Sequence, residues 1–366
     1  MKTFRLSGDT PTTTIRTDAP SCVSMLSRGS ITVLFACMLL SMNSATAQTG
    51  GNNTRPAGTM PKHKILLDTD PGIDDAAAIA IALTDEQFDV KLLTTVAGNV
   101  SADKTGANAL KLVEFFGMQK KVPVAAGAVQ PLLKPFEDAS HVHGESGMPG
   151  WDFPALKTRP LTKHAVEAMR DALLAANEPL TLVLTGAYTN AALLFRTYPE
   201  VKTKIARIVV MGGSLGYGNM TSAAEFNVYT DPHAAKVVFE CGLPIVMIGL
   251  DVTMKALLTN ENIERIATLN ETGKMLHSLI SYYKDAGEDG KPMHDVNTLF
   301  YLAHPEAFKI TDYWVDVVTE GYAAGETVAD VRRVSHDGAT NVSVATDIDA
   351  TAFNNWFISE IAKIKK

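Results

Sequence analysis

Between residues 64 and 80 the chain reads Lys-Ile-Leu-Leu-Asp-Thr-Asp-Pro-Gly-Ile-Asp-Asp-Ala-Ala-Ala-Ile-Ala, so four carboxylates, Asp68, Asp70, Asp74 and Asp75, fall within eight residues. One Asp suffices to cap a helix; four exceed that need. Like charges held this close raise each other's pKa unless something positive sits between them. The stretch offers oxygen donors with no Cys and no His, which points to a hard divalent cation rather than zinc.

The flanking residues say how such a group would be held. The apolar run before Asp68 reads as a buried β-strand. Pro71-Gly72 forces a turn, and the Ala- and Ile-rich run from Asp74 reads as a helix with acids in its first turn. The acids therefore stand at the carboxyl end of a strand, where α/β sheets place their sites. Further apolar strands end in polar or glycine turns: 90–96 before Gly98-Asn99, 180–184 before Thr185-Gly186, 205–210 before Met211-Gly212-Gly213, and 244–250 at Asp251. None carries the Gly-x-Gly-x-x-Gly spacing or the P-loop lysine, which disfavours a nucleotide-phosphate cradle. Strands alternating with helices predict an α/β fold: a single domain over 64–366 with a mostly parallel central sheet and helices on both faces. Residues 127–160 lack periodicity and contain His141-Val142-His143-Gly144-Glu145-Ser146-Gly147. The histidine spacing is not that of a zinc helix, and a long Gly-rich loop reads as a lid. Met293-His294-Asp295-Val296 opens a later helix.

Composition narrows the class. The chain has 366 residues, 46% hydrophobic and 20% charged, which is the profile of a soluble protein with a sizeable core. A net charge of −7 gives no basic footprint for nucleic acid. Arg28 precedes an apolar run over 31–42 that is too short to span a bilayer, and Ala45-Thr46-Ala47 follows as a small-x-small site. Residues 1–47 read as a signal peptide cleaved after Ala47, with Met25 as an alternative start and an uncleaved anchor as the competing reading. Residues 48–63, rich in Gly, Asn and Pro, read as a flexible linker. The expected mature protein is periplasmic or secreted, with no membrane association after cleavage. It keeps Cys241 alone, so it forms no internal disulfide.

The stretch Asp-Thr-Asp-Pro-Gly-Ile-Asp-Asp-Ala (68–76) resembles the N-terminal signature of the inosine-uridine preferring nucleoside hydrolase family. The resemblance continues in Thr-Val-Ala-Gly-Asn (95–99), His-Gly-Glu-Ser-Gly (143–147), Leu-Thr-Gly-Ala-Tyr-Thr-Asn (184–190), Val-Met-Gly-Gly (210–213), Ala-Glu-Phe-Asn (224–227), His-Asp (294–295) and Thr-Val-Ala-Asp (327–330). It implies a Rossmann-like core and a Ca2+ ion held by Asp70, Asp75, the Thr185 carbonyl and Asp295. It further implies hydrolysis of the N-glycosidic bond of ribonucleosides to free base and ribose, by a metal-bound water that Asp70 deprotonates. By the same resemblance Asp74, Asn219, Glu225 and Asn227 bind ribose hydroxyls and Met211 packs under the ring. Asn99 and His143 lie beside the substrate, Tyr283 stacks on the base, and His294 protonates it. A homo-oligomer, dimer or tetramer, is implied as well. Broad-specificity members carry an aromatic residue where this chain has Gly287. Two readings from other classes compete. The Asp68-Thr69-Asp70 stretch superficially matches haloacid-dehalogenase-like phosphatases, and an exported α/β protein can be a non-catalytic nucleoside- or ribose-binding protein.

Overall fold

The computed structural model describes residues 62–284 and 289–366. The expected signal peptide, its cleavage site, the linker as far as residue 61, and Gly287 lie outside the described residues. The first half of the chain alternates as predicted: β1 (His63–Thr69), α1 (Ile73–Thr84), β2 (Phe88–Thr95), α2 (Ala102–Phe115), β3 (Val124–Ala126), α3 (Ser140–His143), α4 (Ala165–Ala175), β4 (Leu180–Leu184), α5 (Thr189–Thr197) and β5 (Ile205–Met211). Then come α6 (Phe226–Thr230), α7 (Pro232–Phe239), β6 (Ile245–Ile248), α8 (Leu250–Thr253), β7 (Leu257–Thr259), α9 (Asn260–Ile266), α10 (Glu271–Tyr282) and β8 (Gly290–Pro292). The chain closes with α11 (Val296–Ala303), β9 (Phe308–Tyr313), β10 (Val315–Val317), β11 (Thr327–Ala329), β12 (Val342–Ile348) and α12 (Ala350–Lys363).

Eight strands form one sheet in the order β3-β2-β1-β4-β5-β6-β12-β9, parallel throughout except for β9, which runs antiparallel to β12. The architecture is therefore the single α/β domain with a mostly parallel sheet that the sequence predicts. Its strands are apolar on both faces because helices cover both. Ile65 and Leu67 join the core beneath α1, α2, α10, α11 and α12, whereas Leu66 joins the core beneath α4, α5 and α7. Val183 and Val209 likewise face the first core, and Leu182, Leu184, Ile208 and Val210 the second.

Two features differ from the sequence expectation. The later strand expected over 315–319 is β10, which pairs with β11 in a separate hairpin instead of joining the main sheet. The edge position is taken by β9, whose mixed burial gives it no clean alternation to read. Among the described residues no helix is long and apolar enough to cross a membrane.

The order places β1 between β2 and β4, so the successive crossovers leave β1 in opposite directions. A crevice opens at the carboxyl ends of strands where the order reverses in this way. That crevice receives the acidic turn after β1, Asn99 after β2, Thr185 after β4 and Met211 at the end of β5.

Candidate active site

At the end of β1, the three residues Asp70, Pro71 and Gly72 turn the chain into α1. Asp75, in the first turn of α1, closes the corner. Its Oδ2 accepts from the Gly72 N–H at 2.9 Å and from Asn99 Nδ2 at 2.9 Å, while its Oδ1 accepts from the Thr69 hydroxyl. Asp70 is fully buried. Its Oδ2 accepts from the Asn99 N–H at 2.7 Å, and its Oδ1 has no hydrogen-bond partner. Two glycines let the backbone lie against this carboxylate. A Cβ on Gly98 would overlap Asp70 Oδ2, and one on Gly186 would stand 2.7 Å from Oδ1. Asp295 arrives from the start of α11, and its N–H lies 3.4 Å from Asp74 Oδ2. Asp68, the remaining acid of the turn, points elsewhere: Thr94 Oγ1 and Asn190 Nδ2 donate to its Oδ1 at 2.6 and 2.9 Å.

Carboxylate oxygens of Asp74, Asp75 and Asp295 all fall within 4.8 Å of one another, a grouping that could hold a metal ion. No lysine or arginine among the described residues forms an ion pair with them. Burial first, and then the charge of Asp75, pushes the Asp70 carboxyl well above the ordinary range. The same two causes raise Asp74 to about 7. Burial raises Asp75, and burial with the charges of Asp74, Asp75 and Asp70 raises Asp295 strongly. Crowded buried anions are stable only if protonated or neutralised by a cation. An all-oxygen set with an unpartnered buried oxygen, Asp70 Oδ1, fits a divalent metal.

Above the acids lies a cavity lined by Asp74, Asn99, His143, Thr185, Met211, Asn219, Glu225, Asn227, Tyr283, His294 and Asp295. Asp70 and Asp75 are fully buried and do not line it, but both bond to Asn99, which does. The fold thus brings together the residues that the resemblance assigns to metal and substrate, whereas Asp68 is turned away toward Thr94 and Asn190. Glu225 caps α6, accepting from the Asn227 N–H at 2.9 Å through Oε1 and from the Gly213 and Val228 N–H groups at 2.9 and 3.1 Å through Oε2. Asn227 Nδ2 lies 3.2 Å from both the Thr185 and Met211 carbonyls. Asn219 Oδ1 accepts from the Phe226 N–H at 2.9 Å, folding its loop onto the start of α6. His143 Nδ1 accepts from the Ile73 N–H at 3.1 Å, and its ring lies 5.2 Å from that of Tyr283. His294 is buried, with Nδ1 2.8 Å from Thr253 Oγ1.

A family model described as Inosine-uridine preferring nucleoside hydrolase matches residues 65–355. The chain belongs to that family. It is 51% identical over 300 residues to the non-specific ribonucleoside hydrolase RihC of Klebsiella pneumoniae subsp. pneumoniae, covering 81% of this chain and 98% of the relative. RihC of Salmonella typhi is 49% identical over 303 residues, covering 82% and 98%. Among solved structures, the purine-preferring ribonucleoside hydrolase from Gardnerella vaginalis superposes with a TM-score of 0.77 at 31% identity, covering 82% of this chain and 98% of that one. An inosine-guanosine nucleoside hydrolase gives a TM-score of 0.75 at 25% identity, covering 83% and 100%. The protein is accordingly a ribonucleoside hydrolase, an enzyme that cleaves N-glycosyl bonds.

Several residues that orient this hydrolase's site escaped the sequence reading: Thr69 on Asp75, Thr253 on His294, and Tyr188, whose hydroxyl donates to the Met211 carbonyl at 2.8 Å. Val142, Met220, Phe226 and Lys284 also line the cavity and were not singled out. A hydroxyl or apolar residue carries no local signal of a partner that is distant in sequence.

Two outcomes follow from the acids. Raised carboxyl pKa values mean that the metal-free fold binds protons more tightly than the unfolded chain. The stability they contribute is complete below the ordinary carboxylate pKa of about 4 and is lost as pH rises through the raised values. Thermal melts of chelator-treated protein should therefore show Tm falling between about pH 5 and pH 8, with added divalent cation restoring more at the higher pH; a flat or rising metal-free Tm would contradict this. Gly98→Ala should push Asp70 aside and lower kcat by about 10² with the fold retained by circular dichroism.

Proposed function

We propose that the enzyme hydrolyses ribonucleosides with a Ca2+ ion held by Asp70, Asp75, Asp295 and the Thr185 carbonyl. The observation that carries this reading is the buried, unpartnered Asp70 Oδ1 beside a convergent carboxylate group under a polar cavity. Calcium takes six to eight oxygens, more than the protein supplies here, which leaves places for substrate hydroxyls and water. When bound, such an ion lowers the pKa of a coordinated water.

Asp70 receives the proton of the attacking water through Oδ1, and the oxygen that remains bonds to the anomeric carbon as the C1′–N bond breaks. The sugar passes through an oxocarbenium-like state. Fixed acceptors around the ribose stabilise its developing positive charge. A carboxylate has about four acceptor positions, and three main-chain N–H groups use three on Glu225. One remains on Oε1 for a ribose hydroxyl. Asn227 has both Nδ2 hydrogens engaged by carbonyls, so its Oδ1 is what it offers the sugar. Asp74 and Asn219 serve other hydroxyls, Met211 packs under the ring, and Asn99 and His143 wall the substrate. Tyr283 stacks on the base. His294, oriented by Thr253, protonates the departing base nitrogen. Likeness to RihC supports broad base specificity, and the motifs of 1–47 support export to the periplasm or medium.

Asp70→Asn should lower kcat by roughly 10² or more, because the proton acceptor and a metal oxygen go together; near-normal turnover would sink the mechanism. His294→Ala should spare calcium affinity and slow inosine and uridine. It should slow p-nitrophenyl riboside far less, since that leaving group needs no proton; equal slowing of both would assign the acid elsewhere. For export, N-terminal sequencing of protein from a cell fractionation should find Gln48 at the start of an extracytoplasmic form; cytoplasmic protein retaining residues 1–47 would refute it.

A further inference from the structure

The Thr-Val-Ala-Asp stretch over 327–330 has no place in the mechanism above, yet it opens β11, and Thr327 is 3% exposed. Its side chain makes a two-way clamp on a residue 113 positions earlier. Thr327 Oγ1 accepts from the Ser214 N–H at 2.8 Å and donates to the Ser214 carbonyl at 2.6 Å. A free hydroxyl rotor can satisfy both ends of one peptide residue only if that residue is held in one place.

The clamped residue follows Gly213, which has φ +73° and whose Cβ, if present, would stand 2.9 Å from both Thr327 Cγ2 and Oγ1. The Gly213 N–H in turn donates to Glu225 Oε2. At the other end of the same segment, Gly325, with φ +92°, lies so close to α6 that a Cβ there would stand 2.6 Å from Tyr229 Cα. The β10–β11 hairpin therefore braces the segment 214–229 at both ends, and that segment carries Asn219, Glu225 and Asn227.

We infer that Thr327 is a positioning residue for ribose recognition: by clamping Ser214 it fixes the Gly213 N–H that holds Glu225 Oε2, and so aims Oε1 at the sugar. This rests on the ribose role proposed for Glu225. The path runs through one main-chain donor and requires no contact between Thr327 and substrate. Breaking a buried hydrogen-bond pair of this kind leaves the Ser214 N–H and carbonyl unsatisfied, so the segment must shift to recover partners.

The test is a cycle on the full enzyme with its metal, using Thr327→Val, Glu225→Gln and the double variant, with inosine and uridine as substrates. Thr327→Val keeps shape and removes the hydroxyl. It should lower kcat/KM by about tenfold while circular dichroism remains native. Thr327→Ser keeps the hydroxyl and should recover activity to within about twofold of the parent. Adding Thr327→Val to Glu225→Gln should cost less than about twofold more, because the group it aims is already changed. If Thr327→Val does not fold, Thr327→Ala takes its place in the cycle. Losses that multiply in the double variant, or a Thr327→Ser enzyme as impaired as Thr327→Val, would overturn the positioning role. A Glu225→Gln enzyme with parental kcat/KM would instead remove the ribose reading on which it rests.

Discussion

Everything at the catalytic end of this protein depends on concentrating negative charge where water is excluded. Asp70, Asp74, Asp75 and Asp295 are buried together; burial raises each of them, and neighbouring carboxylate charge adds to this at Asp70, Asp74 and Asp295. In isolation this is an unfavourable arrangement. The fold sustains it by giving the acids main-chain and amide donors, from Gly72, Asn99 and Asp295, while leaving one oxygen of Asp70 unengaged. The same arrangement that costs stability without a cation is one that could hold a cation, and binding there would be thermodynamically linked to folding.

The positions of these groups follow from sheet topology. Because β1 lies between β2 and β4, the turns after all three strands meet in one crevice. Asn99 can then reach both Asp70 and Asp75, and the Thr185 carbonyl can meet Asn227. Asn108 of α2 ties the outer wall to this corner. Its Nδ2 donates to the Pro71 carbonyl at 3.0 Å and to the Ser146 carbonyl at 2.8 Å, joining the acidic turn to the Gly-rich loop.

Much of this was legible in the sequence because it is local. The acids, the Pro71-Gly72 break and the Ala-rich helix lie in one continuous stretch, and the apolar strands announce a doubly covered sheet. Other features were not legible. β9 is half exposed along its length, so neither an apolar run nor an alternation marks it. Thr253 and Thr327 look like ordinary threonines, since the groups they orient lie 41 and 113 residues away. Sequence pattern reports burial and turn chemistry; it does not report which distant backbone group a hydroxyl will meet.

The two ends of the chain contribute differently. Residues of β1, β2, β4 and β5 bring their groups to the site through the sheet itself, whose register is fixed by burial on both faces. His294 and Asp295 come instead from the turn between β8 and α11, outside the main sheet. Their placement depends on contacts with α1 and α8: the Asp295 N–H toward Asp74, and the His294 ring on Thr253. Asp295 and His294 are thus adjacent in sequence but are anchored by different elements. Successive residues at a helix entrance project in different directions, so one short turn can direct a carboxylate to the acidic group and an imidazole to Thr253. On the mechanism proposed above, the sheet sets where the sugar is attacked and the later turn sets how the base departs. On that reading a substitution at His294 alters leaving-group chemistry alone, whereas one at Asp295 also disturbs the acidic corner.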